Sequence, residues 1–156
     1  WSDALLMASL GNALVFDGCP ARAEALAQLV STAGFSVTVV TDVNNTEFSL
    51  GTDSEFDVIL CELDLQGVSW KEARKALREM DAQVPAIMFS DVLDAERMMT
   101  ALHLGASDFF VRPVEDVEAL VKSIERCVRH REMRRELRDS QPVSYTHLTL
   151  PTGDLG

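Results

Sequence analysis

Four short apolar runs in this chain each end in a polar residue: Asp17, Glu62, Ser90 and Arg112. The longest, Glu55 to Gly67 (EFDVILCELDLQG), starts polar, is apolar from Val58 to Cys61, and ends in Glu62 and Asp64 before a glycine. A continuous apolar run of that length suits a strand buried on both faces, as in a parallel sheet. Acids, a hydroxyl and a guanidinium at the C-terminal ends of such strands stand where open α/β sheets bind ligands and do chemistry. Each residue also has a plain structural reading. Asp17 and Ser90 are helix-capping types, Arg112 suits a surface, and Pro113 breaks a loop. Their joint order and spacing is the informative feature.

The elements that must position these residues follow from periodicity. Asn12 to Asp17 reads as the first strand. Pro20 opens a helix with Leu26, Leu29, Val30 and Ala33 as its apolar stripe and Gly34 as its stop. Phe35 to Thr41 is β-branched and forms the second strand. Residues 42–54 offer only a weak second helix. Past the third strand, Ser69 and Glu72 form a capping box, with Trp70, Ala73, Leu77 and Met80 as a buried face. Val84 to Phe89 is the fourth strand, Leu93 to Leu104 the fourth helix closed by Gly105, and Ser107 to Val111 the fifth strand. The last helix starts near Glu115, with Val117, Leu120, Val121, Ile124 and Val128 on one face. Strands alternating with amphipathic helices imply a flavodoxin-like (βα)5 fold, a doubly wound parallel sheet in the order 2-1-3-4-5.

Residues 12–128 make this domain, and residues 1–11 read as the end of a preceding segment. Residues 129–139 are a charged extension of the last helix and read as a linker; from Glu115 to Asp139 seven acids match seven bases. Residues 140–156 (SQPVSYTHLTLPTGDLG) are expected to be unstructured. The string SYTHLTLPT resembles translated sequencing adapter, so this tail reads as non-native.

The chain has 156 residues, 47% hydrophobic, and a net charge of −11. That acidity argues against nucleic acid, since phosphate neutralisation needs clustered Lys and Arg. No apolar run approaches the roughly 20 residues of a membrane span, so no membrane is expected. Cys19, Cys61 and Cys127 are odd in number and scattered, which fits reduced thiols in a cytoplasmic protein. The absence of CxxC and HxxxH spacing argues against zinc.

From about Asn12 to Val128 the chain resembles the receiver domain of two-component response regulators. ALVFDGCP, DVILCELDLQG, PAIMFS, LGASDFFVRP and the terminal helix carry the resemblance. In that family an acid pair after the first strand and an Asp ending the third bind Mg2+, and that Asp accepts a phosphoryl group from a histidine kinase. A Ser or Thr after the fourth strand and a Lys before a Pro after the fifth hold the phosphoryl oxygens. Such chemistry is mostly positioning and charge neutralisation. Ser90 and Pro113 match, and Phe109 stands at the aromatic switch position. Three positions depart: the acid pair is Asp17-Gly18, the phosphoacceptor position holds Glu62, and Arg112 replaces the Lys.

The resemblance therefore implies a degenerate receiver, or pseudo-receiver, and not an enzyme. Glu62 is one methylene longer than Asp, and the Arg112 fork matches a carboxylate well, so the two are expected to pair. No cofactor is expected beyond weak Mg2+ held by Asp17 and Glu62, with the backbone carbonyl of Asp64 as the third ligand the resemblance implies. Asp64 is the alternative acceptor; Asp57 lies at the opposite strand end, His103 reads as helix surface and Cys61 as core. Partners are an output domain or signalling protein, met through the face of the fourth helix, fifth strand and fifth helix. Met98, Met99, Ala101, Leu102 and Phe109 lie there, with at least half of them assigned to core. A homodimer through that face is a further expectation. The rival readings are a phosphorylation-competent receiver served by a histidine kinase and a small-ligand module such as a flavodoxin.

Overall fold

The computed structural model describes residues 9–41, 56–64 and 84–155. Five strands, β1 (Asn12–Phe16), β2 (Ser36–Val40), β3 (Val58–Glu62), β4 (Ala86–Ser90) and β5 (Asp108–Val111), form one sheet. All neighbours are parallel and the order is β2-β1-β3-β4-β5. That is the doubly wound arrangement expected from the strand–helix alternation. The described helices are α1 (Pro20–Thr32), α2 (Ala95–His103) and α3 (Val117–Leu155). The expected second helix over 42–54 and the helix capped by Ser69 and Glu72 lie outside the described residues.

Burial explains the order of the strands. Every residue of central β3 is buried, whereas edge strand β2 holds only exposed and half-buried residues, as the two sheet positions require. Side chains alternate across the sheet. Ala13, Val15, Val58, Leu60, Ile87 and Phe89 face α1 and α3, while Leu14, Phe16, Ile59, Cys61 and Met88 face the other side with Ala101 of α2.

Pro20 fills the first turn of α1, where its missing N–H costs nothing. The deepest positions of α1 are Ala23, Ala27 and Val30; Leu26, Leu29 and Ala33 pack only half-buried beside them. Small alanines let the helix approach the sheet closely, so the larger side chains lie at the flanks of the contact. Gly34 and Gly105 follow α1 and α2 with φ of 108° and 76°, the left-handed region that glycine enters without a Cβ penalty. The helix expected from Leu93 starts at Ala95, and Asp94 caps it, its carboxylate accepting the Arg97 N–H at 2.8 Å.

Two boundaries shift. The chain joins the fold before Asn12, because the Leu10 N–H donates to the Gly34 carbonyl at 2.9 Å and the Ser36 N–H to the Gly11 carbonyl at 2.9 Å. At the other end, α3 stays against the domain past Val128. Arg131 is buried, one turn beyond Cys127 and Val128 on the stripe begun by Leu120 and Ile124. The helix then continues to Leu155, where a structureless tail was expected from residue 140. Propagating a helix adds one hydrogen bond per residue fixed, and no glycine interrupts α3 before Gly153. Pro142 and Pro151 each oppose it by about 3 kcal/mol.

Candidate functional site

Parallel pairing brings the C-terminal ends of β1, β3, β4 and β5 to one edge, and with them Asp17, Glu62, Asp64, Ser90 and Arg112. The first three carboxylates differ in access. Asp17 and Glu62 are each 3% exposed, while the Asp64 side chain is 46% exposed. Gly18, where the resemblance calls for a second acid, supplies no charge.

Arg112 hydrogen-bonds Glu62 through Nη2 and Asp91 through Nη1, at 3.1 Å. Its Nη2 also lies 3.6 Å from Asp17 Oδ2. The expected Arg112–Glu62 pair is therefore present, but the fork is split between two acids instead of gripping one. Its guanidinium carbon sits 5.8 Å from the centre of the Phe89 ring, which is itself stacked on Phe110 at 5.9 Å. The flat cation thus has an aromatic floor, and its side chain is only 17% exposed.

The two-pronged grip belongs to a residue the sequence reading missed. Arg22, in the first turn of α1, donates from Nε to Asp17 Oδ2 and from Nη2 to Asp17 Oδ1, both at 2.7 Å. Its Nε is also 3.6 Å from Glu62 Oε2, and its Nη1 is 3.8 Å from Asp91 Oδ2. The hydrogen bonds to Asp17 raise the Arg22 pKa above its already high ordinary value. Asp17 Oδ1 further accepts the Cys19 N–H at 2.9 Å; Cys19, not Asp17, is the N-cap residue of α1, and no side chain caps that helix.

Asp64 is held separately. Ser90 Oγ donates to its Oδ2 at 2.8 Å and accepts the Val92 N–H at 3.2 Å. Arg97 of α2 donates from Nε to the same carboxylate, 3.1 Å from Oδ2, and this contact is the main cause of a raised Arg97 pKa. The Asp64 N–H reaches Glu62 Oε1 at 3.3 Å. Phe109 packs half-buried against the Met88 and Ala101 side of the sheet, away from the arginines. Pro113 follows Arg112 through a cis peptide bond.

The other candidates fall outside the cluster. Asp57, at the far end of β3, accepts the Asn12 N–H at 2.8 Å. His103 is exposed on α2 and Cys61 is buried in the core. Arg22 and Arg97 were legible as signals: Arg22 is the one cation within α1, and Arg97 follows the Asp94 cap by three residues.

The receiver domain model of response regulators matches residues 13–125. The chain belongs to that family. Receivers are regulatory domains of two-component signalling and in general bind Mg2+ at the phosphorylation site. This receiver is 25% identical over 142 residues to the cell cycle response regulator CtrA of Brucella ovis, covering 91% of the chain and 56% of CtrA. The chain spans little more than half the length of that relative. It superposes on FixJ from B. japonicum with a TM-score of 0.68 at 25% identity, over 82% of this chain and 62% of FixJ. The chemotaxis protein CheY4 of Vibrio cholerae shares the fold, with a TM-score of 0.63 at 20% identity over 76% of this chain and 99% of CheY4. Among the described residues, no helix is long and apolar enough to cross a membrane.

Do the residues of this receiver fit Mg2+? The ion takes oxygen ligands in near-octahedral geometry at about 2.0–2.1 Å. Here both Asp17 oxygens accept from Arg22 and Glu62 Oε2 accepts from Arg112, so the two carboxylates expected to hold the ion are already taken by guanidiniums. No group of three or more acids, His or Cys among the described residues is arranged for a metal. The arrangement does not fit the ion.

Proposed function

We propose that this receiver signals by contact, with its phosphoacceptor position held in a permanent charge pair. The observation that carries the reading is Arg112 on Glu62, a buried carboxylate. A phosphoryl donor would have to displace that guanidinium, and breaking a buried ion pair costs about 3–5 kcal/mol. The extra methylene of Glu62 compounds the problem, since misplacement near 1 Å costs roughly 10²-fold in a positioned reaction. Glu62 acts as a lock on one conformation. It is a poor imitation of phosphate, because one neutralised carboxylate lacks the charge of about −1.5 to −2 that a phosphate carries.

The surface that supports contact signalling is α2 with β5 and the start of α3. Met98, Met99, Leu102 and Val117 are exposed there, and Leu93 precedes them. Core packing takes only Ala101 and part of Phe109, less than the half expected from sequence. Exposed Met is adaptable interface material. An attached or partner output domain is the expected occupant, and α3 is the element that would carry the signal onward through residues 129–139. The small-ligand reading gains no support from a receiver family.

Incubation with acetyl phosphate and Mg2+ tests the reading by intact mass. The expected result is no phosphate incorporation; incorporation abolished by Glu62→Gln would overturn it. One observation favours a second reading. Asp64 is half-exposed at the end of β3 and touches the Ser90 hydroxyl, so a competent receiver served by a histidine kinase would be labelled at Asp64 instead.

A further inference from the structure

Arg22 has no role in the resemblance, and its position is unfavourable for its own helix. It lies in the first turn of α1, which contains no acid, where the helix dipole disfavours a cation. Something outside the helix must compensate. Asp17 and Glu62 compensate: Nε and Nη2 of the fork bind Asp17 at 2.7 Å, and Nε lies 3.6 Å from Glu62 Oε2.

Arg22 Nε therefore sits between the two buried carboxylates that a divalent cation would have to bridge. Arg112 approaches the same two oxygens from the β5 side. Together the guanidiniums bring the two positive charges that one divalent ion would supply. Both also reach Asp91 at the mouth of the pocket, which ties the arginines into one network over the buried acids.

We propose that Arg22 is a built-in replacement for the divalent cation of this site, a positioning residue that closes the pocket to metal. This rests on the reading of the site as locked, and it extends that reading from the phosphoacceptor to the cation. The pocket needs no ion to hold Asp17 and Glu62 side by side. Removing Arg22 frees the Asp17 carboxylate from its two-pronged partner while Arg112 stays on Glu62 Oε2, and the space vacated beside Asp17 and Glu62 becomes a site for a hard divalent cation with water completing its shell.

The test is Mn2+ titration followed by electron paramagnetic resonance, with Mg2+ thermal shifts in parallel. The wild-type chain is expected to show no saturable Mn2+ site and no Mg2+-dependent rise in Tm. Arg22→Ala is expected to gain a Mn2+ site, on the order of tenfold or more in affinity, and a Tm that rises with Mg2+. Arg22→Gln, which keeps length and polarity without charge, should do the same and serves if the alanine variant fails to fold. Adding Glu62→Gln to either should remove the gained site. Wild-type Mn2+ binding that Glu62→Gln abolishes would overturn the proposal, as would a folded Arg22→Gln chain that binds no Mn2+. Failure of the locked reading itself appears elsewhere, as phosphate incorporation from acetyl phosphate.

Discussion

At the C-terminal edge of the sheet Asp17, Glu62, Asp64 and Asp91 are each answered by a guanidinium, whereas on α2 Met98, Met99 and Leu102 lie open to solvent. The two regions are neighbours, joined by Arg97, which leaves α2 to bind Asp64. One pairs its charges internally, and for the buried Asp17 and Glu62 rearrangement costs several kcal/mol. The other has apolar area still to bury and gains from covering it. In a receiver that changes state at its acidic site, the chemistry drives the surface. Under the proposed reading the site is held fixed and the surface is where the regulation is read.

Breaking the clamp should give the largest effect. Arg112→Ala leaves Glu62 buried with Arg22 only at 3.6 Å, and stability in urea should fall by about 3–5 kcal/mol. A loss below about 1 kcal/mol is the signature of solvent-exposed pairs, and would erase the distinction between the two regions. The second effect is on binding. Leu102, 67% exposed, should tolerate Asp within about 0.5 kcal/mol of stability. The same substitution should weaken the output partner by about tenfold or more if Leu102 is an anchor of the contact. A stability loss above about 1 kcal/mol would instead put Leu102 in the core.

Much of this architecture was legible from residue patterns. β3 announced itself because a strand buried on both faces needs an unbroken apolar run, and Val58 to Cys61 is one. Gly34 and Gly105 marked helix ends because the left-handed turn there favours them. Asp17, Glu62, Ser90 and Arg112 could be gathered because parallel strands deliver their ends to one edge. Arg22 could not be gathered by that logic, since it reaches the edge from a helix and its aim depends on how closely α1 packs. That closeness comes from Ala23 and Ala27, which look unremarkable beside the leucines. The extent of the exposed face on α2 was misjudged for a related reason. A helix of alternating apolar and polar residues does not say which apolar ones the sheet accepts, and it accepted only Ala101 fully.

The smallest effect, on thiol reactivity, asks whether the clamped edge is also closed in time. Cys19 is half-buried beside Asp17, Cys61 is buried next to Glu62, and Cys127 is buried on α3. Burial pushes the Cys127 thiol up to about 11, and burial with the nearby Glu62 charge raises Cys61 well above its ordinary value. Thiolate is the reactive form, so at about pH 8 a thiol reagent should label Cys19 and spare the other two until urea unfolds the chain. The sign for stability follows. Above the ordinary thiol pKa of 9.0 the unfolded chain loses a proton that folded Cys127 keeps until about 11. Stability should therefore decline as pH rises through that window. Labelling of Cys61 as fast as Cys19 would mean that β3 opens at its C-terminal end. Glu62 would then be reachable, and the pairing with Arg112 would no longer hold the acceptor position shut.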